Sequence, residues 1–521
     1  MTEPTPVTPL DTGGGPAAEH LAGPRVLVDE HLATRLAGVC SSVTRSDDVR
    51  SEAGRDWWPL AIGWATSGEV PALPAVVARP TTVSEVAAVL AVCNEARVPV
   101  TATGGRSGVC GAAVPVFGGV SLDLVGLEGI GDVDETSLLA RIGAGTFGPD
   151  VEDGLRAHGL TLGHWPQSMA LSTVGGWVAC RGAGQYSTRY GKIEDMVVGL
   201  EVVLADGTVV PVGGHGPRAA TGPDLTQLFV GSEGTLGVVT EATLRLHPVP
   251  TGQARRAFGF TSFAAGLDAC RRMLARGATP AVLRLYDATE SGRSFDHGET
   301  NVLVVLDEAD PVLVDATMAV VDDECRRADR LDDTLVERWL AQRNDVSALA
   351  PLWRAGVVVD TVEVAGRWSV LPGLYHDVLR ALESVEGTLV ASSHQSHAYP
   401  DGACLYFTFA GRQPSDDDSV PGASSPSGSP SGGPSGSPSG TGAPPSPTAA
   451  TRSWGEAYYR AAWDAVTTTT LAAGAAISHH HGIGLNRARF LPAALGAGFG
   501  VLQSMKDALD PHGILNPGKL G

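Results

Sequence analysis

Thr103-Gly104-Gly105-Arg106-Ser107-Gly108-Val109-Cys110-Gly111 follows directly on a β-branched run at residues 98–101. Consecutive glycines let backbone N–H groups turn towards one concavity and lie close to a diphosphate, which a Cβ would obstruct. An ordinary glycine turn at the end of a strand is the alternative, because such loops are common. The stretch alone leaves these two interpretations equally open.

Two later segments have the same character. Residues 167–177 read QSMALSTVGGW, and residues 231–241 read GSEGTLGVVTE. Small hydroxyl residues beside paired glycines can donate hydrogen bonds to a phosphate-bearing cofactor while the chain lies close to it. The three segments together favour a binding site over a set of unrelated turns.

Helical and strand patterns alternate around these segments. Residues 81–100 have apolar side chains at helical spacing, and residues 196–212 predict a hairpin across Asp206-Gly207. From about Arg255 a second set begins, with helices predicted at 263–277 and 314–330 and strands at 281–287 and 301–307. This succession predicts an α+β fold with two globular parts.

Composition narrows the class of protein. With 521 residues, 43% of them hydrophobic, the chain can bury more than one core. A net charge of -20 argues against a nucleic-acid partner. Seven isolated cysteines favour a reducing cytoplasm, and the polar, proline-rich start lacks the features of a secretory signal. No apolar run of 18 residues predicts a membrane span.

One pattern imitates a dinucleotide-binding loop. Gly143-Ala144-Gly145-Thr146-Phe147-Gly148 satisfies G-x-G-x-x-G between a predicted strand and a predicted helix. A nicotinamide-binding unit would also have an acidic residue about 20 positions further on, to bind ribose. The corresponding region, GHWPQSMALS, has none, so we reject this interpretation.

In their order and spacing, the three glycine segments resemble the FAD-linked oxidase family, whose FAD domain is of the vanillyl-alcohol-oxidase or PCMH type. The resemblance covers roughly residues 73–250 and implies FAD as cofactor. It is implied to be non-covalent, because the first loop lacks the histidine by which some relatives attach it. The first loop would cradle the diphosphate, the second would line the diphosphate and the flavin, and the third would support the flavin from the far side. The implied cofactor-binding residues are Gly104, Gly105, Arg106, Ser107 and Gly108; Ser168, Ser172, Thr173, Gly175 and Gly176; and Glu233, Gly234, Thr235, Gly237 and Val238.

The C-terminal half is similar to the alkyldihydroxyacetonephosphate synthases, also called alkylglycerone-phosphate synthases, and their bacterial relatives. The similarity is carried by residues 280–287 (PAVLRLYD), 397–406 (HAYPDGACLY), 478–484 (SHHHGIG) and 510–517 (DPHGILNP). It implies that Tyr406 is the acid-base group, with His480 and His481 beside it, and that Arg284 lies near flavin and substrate. For Arg284, a surface or interface salt bridge is the alternative, which its apolar setting VLRLY makes less favourable.

The triple histidine at residues 479–481 has three interpretations. A metal site is disfavoured, because sequence neighbours point in different directions and no carboxylate or cysteine stands at ligand spacing. Acid-base chemistry suits imidazole, whose ordinary pKa lies near the operating pH. A structural, hydrogen-bonded cluster is the third interpretation. We therefore predict no bound metal and favour acid-base chemistry.

The chain also departs from the synthase pattern. The first loop reads GGRSGV where the synthases have GGGTSV, and the segment ahead of the second-domain strand, residues 349–357, is shortened. Arg354 in this segment is a candidate for the arginine that is thought to hold the substrate phosphate in the synthases. The substrate therefore stays open between acyl-dihydroxyacetone phosphate, exchanged with a fatty alcohol without net redox, and a 2-hydroxy acid such as D-lactate or glycolate. A flavin-binding protein without catalysis is a third, weaker hypothesis.

These observations predict five regions. They are an N-terminal tail and helical lead-in (1–72), a PCMH-type FAD-binding domain (73–250), an α+β cap domain that makes the substrate pocket (251–413), a disordered Ser/Pro/Gly insertion (414–450), and the C-terminal part of the cap domain (451–521). We expect a small-molecule or lipid-like substrate and a cytoplasmic location. Peripheral membrane contact and a homodimer are both compatible with the resemblance.

Overall fold

The structure is a computed structural model that describes residues 17–21, 23–345, 349–414 and 449–520. The first 16 residues of the predicted tail, and residues 415–448 of the predicted insertion, lie outside the described residues.

The described residues form 20 strands and 19 α-helices. The strands are β1 (Ala18–Glu19), β2 (Val43–Thr44), β3 (Glu69–Val70), β4 (Val76–Ala78), β5 (Val100–Thr103), β6 (Val120–Asp123), β7 (Ile130–Asp134), β8 (Leu139–Gly143), β9 (Leu160–Thr161), β10 (Val197–Val203), β11 (Val209–Gly213), β12 (Val238–Arg245), β13 (His247–Pro248), β14 (Gly252–Phe260), β15 (Val282–Tyr286), β16 (Asn301–Ala309), β17 (Asp329–Leu331), β18 (Val357–Arg367), β19 (Thr388–Tyr399) and β20 (Gly402–Arg412). The α-helices are α1 (Glu30–Ala37), α2 (Asp47–Ala53), α3 (Pro59–Ala65), α4 (Val83–Ala96), α5 (Gly148–Arg156), α6 (Val174–Cys180), α7 (Ser187–Tyr190), α8 (Ile193–Met196), α9 (Thr226–Phe229), α10 (Phe263–Ala275), α11 (Ala288–Phe295), α12 (Pro311–Glu324), α13 (Thr334–Gln342), α14 (Leu349–Arg354), α15 (Leu371–Glu383), α16 (Ala449–Ala472), α17 (Gly484–Arg487), α18 (Leu491–Leu495) and α19 (Gly498–Leu509).

A small sheet of order β2-β4-β6-β5 carries the first glycine loop. Its strands β4, β6 and β5 run parallel, so their carboxyl ends meet at one edge of the sheet. Helix α4 packs on it through its apolar side, and Thr82 caps the helix by accepting from the Glu85 N–H. Strand β5 begins two residues later than the sequence predicts, because the Val98 N–H bonds to Cys93 at the end of α4 and Pro99 has no N–H.

The second sheet, of order β11-β10-β12-β8-β7, is antiparallel throughout. The predicted hairpin β10–β11 is confirmed, and Gly207 in its turn has a φ of 88°. The loop after β8, which imitates a dinucleotide-binding motif, leads out of this antiparallel sheet. Its Gly145 and Gly148 N–H groups donate to Leu127 O and Ser172 O inside the protein. The rejection of a nicotinamide-binding unit is thus supported, because such a unit needs a parallel sheet and free N–H groups.

The third sheet has seven antiparallel strands in the order β17-β14-β16-β15-β19-β20-β18. One core lies between this sheet and the long helices α10, α15 and α16, with Trp463 and Tyr459 of α16 fully buried. Another core connects its β15–β16 part with the second sheet. The fold is therefore α+β, as predicted.

All seven cysteines are free, as their isolated positions in the sequence predict. Within the described ranges, no helix combines the length and apolar character that crossing a bilayer requires.

The hairpin β19–β20 offers a test of the main core. Phe407 is fully buried in this hairpin, whereas Leu389 is 55% exposed. We expect Phe407→Ala to lower the free energy of unfolding by about 3–5 kcal/mol, because it leaves a cavity in a close-packed core. The matched variant Leu389→Ala should change it little. Urea unfolding followed by fluorescence measures both, and equal effects of the two variants would contradict the assigned core.

Candidate active site

The predicted acid-base residues meet at one point of the structure. The Tyr406 hydroxyl lies 2.7 Å from His480 Nε2 and 3.1 Å from His481 Nε2. His480 Nδ1 in turn lies 2.8 Å from His479 Nδ1. A phenol between two imidazole nitrogens can accept a hydrogen bond from one and donate to the other, so the cluster forms a continuous chain of proton donors and acceptors.

Strand register places Tyr406 within a row of side chains across the third sheet. Tyr406 of β20 is directly opposite Glu363 of β18 on one side and His394 of β19 on the other, and His394 is opposite Tyr286 of β15. Opposite residues of an antiparallel pair project to the same face, so all four lie on one face of the sheet. The His394 ring stacks on Tyr406 at 5.0 Å and on Tyr286 at 5.1 Å, and these contacts hold the row in place.

Glu363, on the edge strand β18, binds the loop that carries the three histidines. We call this loop, residues 478–483, the histidine loop. One of its carboxylate oxygens accepts from the Ser478 hydroxyl at 2.8 Å and from the backbone N–H groups of residues 479, 480 and 481 at 3.2, 3.3 and 2.9 Å. The other oxygen is paired with the fully buried guanidinium of Arg487, which also donates to Gly482 O at 2.8 Å. The loop between α16 and α17 is therefore wrapped around one buried carboxylate of β18.

The charges of this cluster follow from its burial and its ion pair. Burial alone would raise the pKa of Glu363, but Arg487 and then His481 hold it well below its ordinary value, so the carboxylate is ionised. Burial lowers the pKa of His480 well below its ordinary value and raises that of the Tyr406 hydroxyl well above its own. At neutral pH, His480 and Tyr406 are therefore both uncharged.

One arrangement of protons satisfies these contacts. His481 Nδ1 lies 3.1 Å from the Glu363 carboxylate, although it is not aligned for a hydrogen bond, and a proton on this nitrogen is favoured by the negative charge. His481 Nε2 is then free to accept from the Tyr406 hydroxyl, and the Tyr406 oxygen accepts from His480 Nε2. Tyr406 can thus pass its proton to a histidine that a carboxylate backs.

Arg284 lies at the other end of the row. It donates to His394 Nε2 at 2.8 Å, while His394 Nδ1 donates to Glu290 at 2.7 Å. These two contacts define a neutral His394 with its proton on Nδ1. Arg284 is 8% exposed, which is inconsistent with the alternative of a surface salt bridge.

The first glycine loop lies at the carboxyl edge of the parallel sheet. The residues that follow β4, β6 and β5 meet there, and the Asp123 carboxylate lies 2.7 Å from Arg79 and 3.6 Å from Arg106. No described residue accepts a hydrogen bond from the N–H group of any residue from 104 to 108. Five consecutive free donors next to two guanidinium groups are well suited to a diphosphate.

The second glycine segment, residues 167–177, packs directly against the first glycine loop. A Cβ on Gly104 would lie 2.2 Å from Thr173 Oγ1, and one on Gly105 only 1.8 Å from Leu171 O. Thr173 caps α6, and the N–H groups of Gly175 and Gly176 donate within the protein, to Ala144 O and to Thr173 Oγ1. The Ser172 hydroxyl accepts from Trp177 Nε1 and donates to the carbonyl of Ser168. This segment therefore supports the loop by packing.

The third segment connects the glycine loops with the histidine loop. Glu233 has a φ of 50°, and its buried carboxylate accepts from the N–H groups of Ile483 and Gly484. The carbonyl of Cys110, at the end of the first loop, accepts from the N–H groups of Leu485 and Asn486. The rest of the third segment is structural in its contacts. Thr235 Oγ1 donates to Ser232 O, Gly234 has a φ of 70°, Gly237 packs on Val202 and Phe229, and Val238 pairs with Val203.

The sequence interpretation missed several residues of this site, namely Glu363, Arg487, His394 and Glu290. The signal for Glu363 is its place as one of two acidic residues in the otherwise apolar strand VVVDTVEVA, and that for Arg487 is the first of two arginines after HHHGIG. Both signals are weak without the partner, because charged residues are buried only when paired.

Three imidazoles could in principle share a cation. His397, His479 and His480 each have a nitrogen within 4.8 Å of the others. His397 Nδ1 lies 2.9 Å from the Ser187 hydroxyl, however, and both nitrogens of His480 lie at hydrogen-bond distance from Tyr406 and His479. The prediction of no bound metal stays a prediction.

A parallel-sheet edge with free backbone donors, joined to a buried tyrosine–histidine cluster on a second sheet, defines a cofactor-dependent enzyme. Comparison of the sequence with protein families identifies the class of enzyme. The FAD-binding domain family matches residues 74–213, and the C-terminal domain family of FAD-linked oxidases matches residues 249–424 and 448–520. The chain belongs to the FAD-linked oxidases, and its cofactor is FAD. The free donors of the first glycine loop fit the diphosphate of this cofactor.

Relatives of two kinds match most of the chain. The uncharacterized FAD-linked oxidoreductase YgcU of Escherichia coli (strain K12) is 29% identical over 86% of this chain and 89% of its own length. The alkyldihydroxyacetonephosphate synthase of Dictyostelium discoideum is 27% identical over 87% of this chain and 74% of its own length. The glycolate oxidase subunit GlcD of Bacillus subtilis (strain 168) is 28% identical over 90% and 93%.

Solved structures share the fold. An alkyldihydroxyacetonephosphate synthase superposes with a TM-score of 0.74 at 23% identity, covering 98% of this chain and 90% of that structure. A p-cresol methylhydroxylase with bound substrate superposes with a TM-score of 0.72 at 17% identity, covering 96% and 98%. At these identities the likeness shows the fold alone.

Gly105 tests the contact between the glycine segments. In Gly105→Ala, the added Cβ would collide with the Leu171 carbonyl, so the loop must shift and its free N–H groups lose their alignment. We expect roughly tenfold weaker binding of FAD, measured as bound flavin after titration of the apoprotein. Gly373→Ala, on α15 with no atom within 4 Å of the new Cβ, is the control and should keep full flavin content. Normal FAD binding by Gly105→Ala would contradict the packing of these segments.

Glu290 gives a pH-dependent prediction. Burial alone would raise the pKa of Glu290, but His394 becomes protonated as pH falls, and its positive charge and hydrogen bond, followed by Arg293 and Thr408, lower this pKa to about 2. A carboxyl with a lowered folded-state pKa contributes stability above its unfolded-state value of about 4.5 and loses this contribution as pH falls towards 2. The difference in free energy of unfolding between wild type and Glu290→Gln should therefore shrink as pH falls from about 4.5 towards 2. Urea midpoints at several pH values measure it, and a difference independent of pH would refute the assignment.

Proposed function

We propose that the chain is an FAD-dependent enzyme of the alkylglycerone-phosphate synthase type. In the proposed reaction, the acyl chain of acyl-dihydroxyacetone phosphate leaves as a fatty acid and a fatty alcohol takes its place, with no net oxidation. The observation that carries the proposal is the Tyr406 hydroxyl between His480 and His481, at the centre of a row that ends in Arg284.

Tyr406 is the proposed proton-transfer group. Its hydroxyl can give its proton to His481 Nε2, and the resulting positive charge is balanced by the ionised Glu363. The tyrosine oxygen, kept in place by the His480 N–H, can then take a proton from the substrate carbon. A tyrosine with a raised pKa needs such a partner, because alone it would stay protonated at neutral pH.

Tyr406, His481 and Glu363 form the proposed proton relay. The burial of the base of this relay supports a redox-neutral exchange. The proton taken from the substrate carbon must be returned to the same carbon before product leaves. Glu363 and Arg487 at the base of the relay are fully buried, so the proton is shielded on that side from exchange with water. When bound, FAD supplies an electron acceptor beside the substrate carbon. Arg284 would hold an anionic part of the substrate near the same carbon.

An FAD-dependent oxidoreductase of 2-hydroxy acids is the second candidate. It is favoured by the position of Arg354, the candidate phosphate-binding residue. Its neighbour Trp353 packs with Tyr459 in the core that also holds Phe407, on the face of the third sheet opposite the Tyr406 row. Among the described contacts, none joins Arg354 to Arg284 or Tyr406. A 2-hydroxy acid would need only the carboxylate-binding arginine and the proton-transfer group.

Because the proposed substrate is lipid-like, we also propose that the enzyme makes peripheral contact with a membrane surface. A homodimer stays a prediction.

Anaerobic titration of the FAD-loaded enzyme separates the two candidates. Acyl-dihydroxyacetone phosphate is expected to perturb the flavin spectrum, and hexadecanol should restore it with an ether product detectable by mass spectrometry. D-Lactate and glycolate are expected to leave the flavin oxidised. Bleaching by either acid would overturn the synthase proposal in favour of the oxidoreductase.

The role of Tyr406 is tested by Tyr406→Phe. We expect kcat to fall by at least about a hundredfold, with unchanged FAD content, because the proton-transfer group is lost while the ring remains. Tyr458→Phe is the matched control, since the Tyr458 hydroxyl lies 3.0 Å from Thr388 in a different part of the third sheet. Equal activities of the two variants would exclude Tyr406 as the acid-base group.

A further inference from the structure

His397 lies on the same face of the third sheet as Tyr406. The register of β19 against β20 shifts by one residue between Gln395 and His397, so β19 has a β-bulge there, and His397 is opposite Cys404. Cys404 precedes Tyr406 by two residues on β20, and such residues project to the same face. Without the bulge, Ser396 would be opposite Cys404 instead. The bulge therefore turns a further imidazole towards the Tyr406 cluster.

The His397 ring contacts the histidine loop, and one of its nitrogens is free. Its centroid is 4.9 Å from the ring centroids of His479 and His480, and His480 Nε2 lies 2.7 Å from the Tyr406 hydroxyl. His397 Nδ1 lies 2.9 Å from the Ser187 hydroxyl, and no residue that the structure describes forms a hydrogen bond with His397 Nε2. Burial, followed by the neighbouring imidazoles, lowers the pKa of His397 well below its ordinary value, so the ring is uncharged at neutral pH.

Two hydroxyl groups connect His397 with the surface. Ser187 begins α7 in the FAD-binding domain, and its hydroxyl lies 3.1 Å from the Tyr399 hydroxyl. Tyr399 is partly exposed and borders a surface pocket of about 280 Å³ that Arg367 and Asp401 also line. With its proton on Nδ1, His397 donates to Ser187, and Ser187 can donate to Tyr399. The three side chains thus form a continuous chain of donors and acceptors from the histidine cluster to this pocket.

The proposed exchange needs a base in addition to Tyr406. The proton that Tyr406 takes from the substrate carbon is kept for return to the same carbon. The acyl group leaves as a carboxylate, with the electron pair of the broken C–O bond, and takes no proton. The hydroxyl proton of the incoming fatty alcohol must therefore be accepted by a different group and released to water.

We propose that His397 is a second catalytic base, which accepts the hydroxyl proton of the alcohol, and that Ser187 and Tyr399 pass a proton on to solvent. The inference rests on the proposed function. As the alcohol oxygen bonds to the substrate carbon, its O–H bond breaks and the proton goes to His397 Nε2. The Nδ1 proton moves to the Ser187 oxygen, the Ser187 proton moves to Tyr399, and the Tyr399 proton goes to water. No oxidant or reductant is consumed.

Stopped-flow spectroscopy of the FAD-loaded enzyme tests the inference, because it separates the two steps. Perturbation of the flavin spectrum by acyl-dihydroxyacetone phosphate follows the step that uses Tyr406, and its reversal by hexadecanol follows the step assigned to His397. We expect His397→Gln to keep the rate of the first step within about twofold and to slow the second at least about tenfold. Added imidazole should restore the second step in His397→Ala, because a free base can replace the lost side chain.

Ser187 gives an independent variant. Ser187→Ala should slow only the second step, whereas Ser187→Thr, which keeps a hydroxyl, should retain most of its rate. Tyr458→Phe is the control and should react like wild type in both steps, because the Tyr458 hydroxyl lies 3.0 Å from that of Thr388, outside this chain. Flavin content and Tm are measured for every variant, so that a loss of folding is distinguished from the loss of a base.

A second step of wild-type rate in both His397→Gln and Ser187→Ala would refute the role of this chain. Equal slowing of both steps would refute it too, because that is the effect of a purely structural role. Either result leaves the proposed function in place. If acyl-dihydroxyacetone phosphate fails to perturb the flavin of the wild-type enzyme, the proposed function itself is contradicted, and the role of His397 with it.

Discussion

The buried ion pair between Glu363 and Arg487 is the contact on which the site depends. Both side chains are fully buried, and removing either partner of such a pair leaves an unpaired charge in the core, at a cost of about 3–5 kcal/mol. Glu363 also accepts from the backbone of three consecutive histidines. One carboxylate therefore stabilises the loop, sets its conformation and backs the imidazole that accepts the Tyr406 proton.

Strand register has an equally direct effect on the chemistry. Because Glu363, Tyr406 and His394 are opposite one another in adjacent strands, a slip of one residue in β20 would turn Tyr406 to the other face, where Phe407 packs in the core. The large, fully buried residues of that core hold the register. Stability of the hairpin and geometry of the proton relay are thus two consequences of the same pairing.

The cofactor region and the relay are joined by hydrogen bonds to backbone groups. Glu233 of the third glycine segment and Cys110 of the first both accept from residues just after the histidines. Asn516 adds a further connection, because its side chain donates to the carbonyls of Ala112 and Glu233. Such contacts keep the Tyr406 cluster at a constant distance from the FAD-binding edge. This arrangement suits a reaction in which proton transfer and flavin chemistry act on the same carbon.

The sequence alone determined the α+β class, the three glycine segments, the hairpin at Asp206-Gly207 and the absence of disulfides. These depend on local patterns: helical and strand periodicity, glycines where a Cβ would collide, and isolated cysteines. The resemblance also selected Tyr406, His480, His481 and Arg284, which the structure brings into one row and its flanking loop. Only the tertiary structure showed Glu363, Arg487, His394 and Glu290. Their roles come from pairing across strands and between residues more than 50 positions apart. The physical reason is that a buried charge is defined by its partner, and no pattern along the chain reveals which distant residue that partner is.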